Sequence, residues 1–387
     1  MSVAESAELA LHGDCDPAFA AVRQALERNF TDHGEIGSAV CVYHQGKKVV
    51  DLWGGHQDAA RTIPWREDTM CLMYSIAKSI CVLSVHILAD RGMVDLDAPV
   101  ADYWPEFAQN GKDNVLVRHI LSHWCGVCCN DAADDGDIYD YDKMIRVLEV
   151  QEPVWPPETK GAYNTVNIGY LAGEVVRRVS GQPIRDFVRE NICDPLGADY
   201  KIGVDQADLE RVADLVPNPN AFSLAGRIVA GSPLQRALCA MPKPLDTTEQ
   251  NTTRFRTAGV PSFGGFGTAR GLTRIYAALA NGGEIDGVRL LSPEAVARAT
   301  TDQWEDQADG TTMNHIRMTM GFWKNGEGQN AFGPNPEAFG HSGMGGARVL
   351  ADPDRNLALG YATNLPCEGL ATGVRTEAIV DAAFANL

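Results

Sequence analysis

No stretch of this chain stays apolar for the roughly 20 residues that a helix needs to cross a bilayer. The opening segment, Met1 to Ala10, lacks both the positive n-region and the apolar h-region of a secretory signal, so a cytoplasmic location is expected. Basic residues are scarce: 33 Lys and Arg stand against 51 Asp and Glu, a formal charge of −18. Phosphate binding needs clustered cations, so neither nucleic acid nor an anionic membrane is an expected partner. There is no internal repeat and no low-complexity tract. No Gly-x-Ser-x-Gly occurs, which argues against a nucleophile-elbow α/β-hydrolase. A second Cys-x-x-Cys is also missing, so the cluster Cys125, Cys128 and Cys129 offers only half of a zinc-ligand set.

What is present is ordinary for a globular protein: 45% apolar and 22% charged residues over 387 positions. That length suits two or three average domains, or one enzyme body with a large insertion. The remaining cysteines, such as Cys41, Cys71, Cys81, Cys193 and Cys239, sit in apolar surroundings and read as small buried hydrophobes in a reducing compartment. Ser38 to Gly55 reads as a β-hairpin turning at Gln45-Gly46-Lys47. Near the other end, Ala347–Ala351 and Leu357–Thr363 flank the turn-forming Asp352-Pro-Asp-Arg-Asn356. Thr372 to Phe384 carries helical periodicity through Val374, Ala378, Ile379, Val380, Ala382 and Ala383.

Strands at both ends with helical sequence between predict an α+β fold, an antiparallel β-sheet flanked by helices with an inserted helical domain. The expected division gives residues 1–75 and 260–387 to the sheet domain and 76–259 to a mainly helical one, with the active site in the cleft between them. Helices are predicted over Ser75–Asp90, Asn167–Ser180 and Gly271–Ala280. Asp205 to Gly259, rich in Pro, Asn and Thr, reads as a loop-rich insertion of the kind that lines substrate pockets.

Three segments can carry chemistry. In Ser75-Ile-Ala-Lys78, residues three apart share a helix face, so the amine reaches the hydroxyl. The helix N-terminus also favours developing negative charge at Ser75. Lysine serves as a base there if burial or neighbouring charge depresses its pKa; the bland alternative is an N-cap serine with a surface lysine. In Gly161-Ala-Tyr163-Asn164-Thr165, a tyrosine in a glycine-bounded loop can project into a cleft and shuttle a proton, as a phenolate or paired with lysine, or simply pack. In Phe339-Gly-His341-Ser-Gly343-Met344-Gly-Gly346, the glycines admit close approach of backbone to ligand. His341 there suits contact with a substrate carboxylate or leaving group, or a structural role.

The order of these motifs resembles the serine β-lactamase and penicillin-binding-protein superfamily, whose nucleophile signature is Ser-x-x-Lys. Within it the chain is most similar to the family VIII carboxylesterases, relatives in fold of class C β-lactamases. The likeness extends through Leu96-Asp97-Ala-Pro-Val-Ala-Asp-Tyr-Trp-Pro105, Val117-Arg-His-Ile-Leu-Ser-His123-Trp-Cys-Gly126, Gly264-Gly-Phe-Gly-Thr268, Asn281-Gly-Gly283 and Leu291-Ser-Pro293. It covers roughly Ser38 to Asn364.

The resemblance implies Ser75 as nucleophile, Lys78 and Tyr163 as its activating pair, and an oxyanion hole from the backbone N–H groups of Ser75 and Met344. Such a donor is worth about 10²–10³ in rate. His341 and Gly343 fall where lactamases carry Lys-Thr-Gly, and are expected to bind substrate. Two departures stand out. Thr165 occupies the place of the Asn in the family's Tyr-x-Asn, with Asn164 one residue early, which favours esters over β-lactam amides. Cys125-Gly126 replaces the family's Ser-Gly, which gives the Cys-x-x-Cys a bland explanation.

The expected activity is that of a serine carboxylesterase acting on small-molecule esters of short acyl chain through an acyl-enzyme, with no metal or organic cofactor. Alternatives on the same site are amide hydrolysis, of a β-lactam or a D-amino peptide bond, and acyl transfer. A cytoplasmic location argues against a peptidoglycan substrate. A non-catalytic binding protein on a dead hydrolase fold would be expected to have lost Ser75, Lys78 or Tyr163, and all three are present.

Overall fold

A computed structural model describes residues 10–242, 247–369 and 373–387. Strands β1 (Leu11–Cys15), β2 (Gly37–His44) and β3 (Lys47–Gly55) open the chain around one helix, Ala20–Asp32. Gln45 and Gly46 take φ of 51° and 74°. Left-handed conformation at both residues matches a two-residue turn to the right-handed twist of the strands it joins. Three short strands, β4 (Cys71–Tyr74), β5 (Tyr200–Ile202) and β6 (Gly265–Gly267), pair in the order β4-β6-β5, and β7 (Glu284–Ile285) with β8 (Val288–Arg289) makes a small hairpin.

The C-terminal third supplies β9 (Trp304–Asp306), β10 (Ile316–Met318), β11 (Trp323–Lys324), β12 (Phe339–Ser342), β13 (Arg348–Asp352) and β14 (Leu357–Thr363). With the first three strands they form one nine-stranded sheet in the order β1-β3-β2-β14-β13-β12-β11-β10-β9. Every neighbouring pair in it is antiparallel. Both predicted hairpins are therefore present, and they meet where β14 pairs with β2. In the β13–β14 turn the Asp352 carboxylate accepts the N–H groups of Asp354 at 3.1 Å and Arg355 at 3.3 Å, the self-capping that makes Asp a turn opener.

Side-chain size divides the two faces of the sheet. Val40, Val42, Leu357, Leu359 and Tyr361 point to one side and pack against the helices Ala20–Asp32 and Val374–Phe384. The opposite face carries Cys41, Ala358 and Ala362 beneath the helix Ala269–Ala280. Gly360 lies on this face too, and a Cβ there would stand 2.3 Å from Thr273 Oγ1. Small residues thus let this helix lie close to β14. Val374, read as the first apolar position of the last helix, is instead exposed, and the expected start at Thr372 lies outside the described residues.

The helix Ile76–Asp90 is buried on all sides, with every residue from Ile76 to Leu88 out of solvent, the condition of a helix at the centre of a core. It packs against Ile168–Ser180, which closes at Gly181 in the left-handed conformation (φ 75°). The third predicted helix begins earlier than expected, at Ala269, because the Thr268 hydroxyl caps the Gly271 N–H at 3.1 Å. The 205–259 segment is more helical than its composition suggests. It holds short helices at Gln206–Arg211, Leu224–Arg227, Pro233–Ala237, Thr247–Gln250 and Thr253–Ala258, with Ser232 and Thr252 as side-chain caps. Among the described residues, no helix is long and apolar enough to cross a membrane.

One buried ion pair fastens the sheet to its outer helices. Arg375 Nη1 lies 2.8 Å from Glu35 Oε1, and neither side chain reaches solvent. Thr363 and Tyr361 donate their hydroxyls to the same carboxylate. Removing one member of such a pair leaves an uncompensated charge in the core. Glu35→Ala should therefore lower unfolding free energy by about 3–5 kcal/mol. Urea denaturation checks this, and a loss within error of zero would show that Arg375 finds another partner.

Candidate active site

The site begins at a sharp change of direction. Tyr74, the last residue of β4, is buried with φ 47°, a left-handed conformation costly for an aromatic residue. It turns the strand into the helix Ile76–Asp90 and leaves Ser75 at the N-cap. The Ser75 side chain makes no capping bond. Its hydroxyl meets Lys78 instead, with Nζ 3.0 Å from Oγ.

Lys78 is not a surface lysine; it is 1% exposed. Its Nζ donates to the Ser262 carbonyl at 2.8 Å, and the rings of Tyr163 and Phe263 flank it at 5.2 and 5.8 Å. Among the described residues no carboxylate pairs with it. Burial, only weakly opposed by Cys81, brings its pKa from the ordinary lysine range down to about 7. At neutral pH much of this amine is therefore unprotonated, the state a general base requires. Ser262 is itself held in place: its hydroxyl accepts the Gly169 N–H at 2.9 Å and donates to the Val166 carbonyl, at the start of the Ile168–Ser180 helix.

Tyr163 stands against this pair. Its hydroxyl is buried, with no hydrogen-bond partner among the described residues. Desolvation raises its pKa, only partly countered by the nearby Ser75 hydroxyl, and the negative charge of Asp309 raises it further. Of the two states open from sequence, burial disfavours the phenolate; the resting tyrosine is a neutral donor. Its backbone is fixed from two sides. Asp309 Oδ1 accepts the Tyr163 N–H at 3.0 Å. His123 takes both flanking N–H groups, Ala162 on its carbonyl at 3.0 Å and Asn164 on Nδ1 at 2.8 Å.

His341 lies on β12, 1% exposed, with its ring 4.8 Å from Trp323 and 6.2 Å from Tyr163. Nδ1 sits 2.9 Å from the Ser342 carbonyl, and Nε2 is buried without a partner. Burial, with the nearby Lys78 charge, lowers its pKa to about 3, so it is a neutral imidazole where lactamases hold a cation. The same two causes, with His341, hold His123 far below its ordinary range. At Gly343 a Cβ would fall 2.5 Å from the Met73 carbonyl, so only glycine lets the end of β12 come this close to β4. A Cβ on Gly345 would likewise fall 3.4 Å from the Tyr74 ring, so the segment runs beside the residues that lead into Ser75. Among the described residues neither the Ser75 nor the Met344 N–H donates to a backbone carbonyl.

Ser75, Lys78, Tyr163 and His341 are thus neighbours, although they come from three separate parts of the chain. Thr165 Oγ1 is buried and unpartnered, while Asn164 turns its amide toward Cys125 Sγ at 3.8 Å. Sequence reasoning passed over Asp309 and Ser262, and quoted His123 only as part of a motif. Asp309-Gly310 is a visible turn signal, but nothing in it names Tyr163 as a partner. Cys125, Cys128 and Cys129 are buried free thiols, and no metal-holding group of His, Cys, Asp or Glu is found among the described residues. A cavity of about 520 Å³ lies beside the site, lined by Phe332, Arg348 and Glu377 among others, and touches the site's surroundings at Ile316, Trp323, Lys324 and Ser342.

The beta-lactamase family model matches residues 22–384. Esterase/beta-lactamase LipL of Mycobacterium tuberculosis is 32% identical over 360 residues, 91% of this chain and 82% of that protein. Two solved structures are similar over 98% of this chain and 100% of their own. One is a family VIII carboxylesterase (37% identity, TM-score 0.91), the other a penicillin-binding protein homolog from Caulobacter crescentus (36%, 0.90). The chain belongs to the beta-lactamase family.

The depressed amine makes a direct prediction. If deprotonated Lys78 activates Ser75, labelling of Ser75 by a fluorophosphonate should quicken about tenfold per pH unit on the acid side and level off above its pKa of about 7. Intact mass spectrometry follows the adduct. A rate unchanged from acid to alkaline pH would remove Lys78 from that role.

Proposed function

We propose that this member of the beta-lactamase family is a serine carboxylesterase, hydrolysing small esters of short acyl chain through an acyl-enzyme on Ser75. The observation that carries the reading is the contact of the buried Lys78 Nζ with Ser75 Oγ at 3.0 Å. In this mechanism the neutral Lys78 amine takes the Ser75 proton as Oγ attacks the ester carbonyl. The oxyanion forms against the N–H groups of Ser75 and Met344. Tyr163, kept protonated by burial, gives its proton to the departing alkoxide and regains one from the Lys78 ammonium beside it. Water then attacks the acyl-enzyme, losing a proton to the same pair, which returns it to Ser75 Oγ as the acyl bond breaks and the acid leaves. His341 and Gly343 bind the substrate beside this pair. The cleft would lie between the sheet domain of residues 1–75 and 260–387 and the mainly helical domain of residues 76–259.

Two features favour ester over amide. The side chain at position 165 is a short threonine where amide-cleaving relatives carry asparagine, and His341 offers no positive charge for a substrate carboxylate. Esterase names or descriptions among the similar proteins, LipL and the family VIII carboxylesterase, agree. LipL also carries the beta-lactamase name, and the similar Caulobacter crescentus structure is described as a penicillin-binding protein homolog; both support the amide reading.

Purified protein should turn over p-nitrophenyl acetate and butyrate faster than long-chain p-nitrophenyl esters, and should act on nitrocefin far more slowly. Ser75→Ala should abolish all of it. Tyr163→Phe and Lys78→Ala should each lower kcat by about 10²–10⁴ with KM little changed. A Ser75→Ala protein with full esterase rate would refute the nucleophile. Nitrocefin turned over as fast as the acetate would replace the ester reading with the amide one.

A further inference from the structure

Asp309 is fully buried, yet among the described residues it has no cationic partner. A buried carboxylate of this kind survives on hydrogen bonds to its charged form. Asp309 accepts from five groups. Four lie in its own turn: the N–H groups of Thr311 at 3.0 Å, Thr312 at 3.1 Å and Asn314 at 3.2 Å, and the Thr312 hydroxyl. The fifth is the Tyr163 N–H at 3.0 Å, 146 residues away in sequence. A turn that needed only to cap itself would be complete with the first four.

The neighbouring contacts make that fifth bond a rigid one. The Gly310 N–H donates to the Gly161 carbonyl at 2.9 Å, so the two segments are joined on both sides of the carboxylate. Indole rings close over each glycine: a Cβ on Gly161 would lie 2.5 Å from Trp304, and one on Gly310 the same distance from Trp155. Trp304 is anchored in turn by its indole N–H to the Ser122 carbonyl at 2.7 Å. With His123 holding residues 162 and 164, the Tyr163 backbone has little freedom except what Asp309 permits.

We propose that Asp309 is a positioning residue for the reaction: it fixes the Tyr163 backbone so that the phenol hydroxyl faces Ser75 and Lys78. This inference rests on the catalytic role proposed for Tyr163. Its charge also favours the protonated phenol, since Asp309 is the negative group that Tyr163 feels. A misplacement of about 1 Å at a reacting group can cost 10²-fold in rate, so a loosened Tyr163 need not leave the site to be lost to the chemistry.

The test is a kinetic cycle on p-nitrophenyl butyrate with the full-length protein, Asp309→Asn, Tyr163→Phe and the double variant. Asp309→Asn should lower kcat by about 10- to 10²-fold with KM nearly unchanged, and should cost almost nothing further once Tyr163 is phenylalanine. An equal loss in both backgrounds, or a change in KM alone, would overturn the positioning role while leaving Tyr163 in place. Tyr163→Phe at the wild-type rate would overturn the role of Tyr163 and this inference with it. If Asp309→Asn does not fold, Thr312→Val takes its place, withdrawing one donor from the same carboxylate. A smaller kcat loss that disappears in the Tyr163→Phe background supports the inference, and an undiminished one overturns it.

Discussion

The site depends on keeping water away from one amine. A lysine in water is an ammonium ion and no base at all; desolvation makes the charged state expensive and returns the lone pair. The surroundings of Lys78 follow from that requirement. The helix that carries it is buried around its whole circumference, the flanking rings are Tyr163 and Phe263, and the polar contacts of its amine are two oxygens without formal charge. A carboxylate at Nζ would restore the charge. The same dryness sets the state of every neighbour. His123 and His341 are held neutral, and Tyr163 is held as a phenol. One burial therefore sorts base from acid across the site, as environments that push titrating groups apart do in general.

The backbone contributes by approach. Tyr74 bends β4 sharply into the helix, and Gly343 lets β12 come against the Met73 carbonyl. Two segments from the first and last quarters of the chain thereby meet at one serine. The antiparallel sheet makes this possible because β12 is two places from β14, which β2 pairs directly along its length. Buried pairs such as Glu35 with Arg375 hold the outer helices to that frame at the far side.

Much of this was legible in the sequence because it is local. Turn residues with a definite φ preference marked both hairpins, and an apolar-rich segment stopped by Arg91-Gly92 marked the Ser75 helix. Ser75 and Lys78 share a helix face by spacing alone, and Tyr163, His341, Gly343 and Met344 follow in an order that resembles a known family. What sequence missed is either tertiary or shorter than its patterns. The bond from Asp309 to Tyr163 spans 146 positions, and the hold of His123 on residues 162 and 164 needs a folded loop with His123 itself at φ 58°. The protonation of Tyr163 is a matter of burial, which a motif does not encode. The short helices between 205 and 259 escaped because four to six residues are too few to show a period, although the caps Ser232 and Thr252 were there to be seen.

The central claim is that Lys78 is about half unprotonated at neutral pH because it is buried. Direct titration tests it without reference to any substrate. Protein labelled with ¹³C and ¹⁵N at lysine, with the Lys78 resonance assigned by its loss in Lys78→Met, can be followed by NMR across pH. The account predicts a Lys78 midpoint near 7, matching the depressed value of about 7, while exposed lysines titrate near their usual 10.4 or so. A Lys78 midpoint in that ordinary range would contradict it.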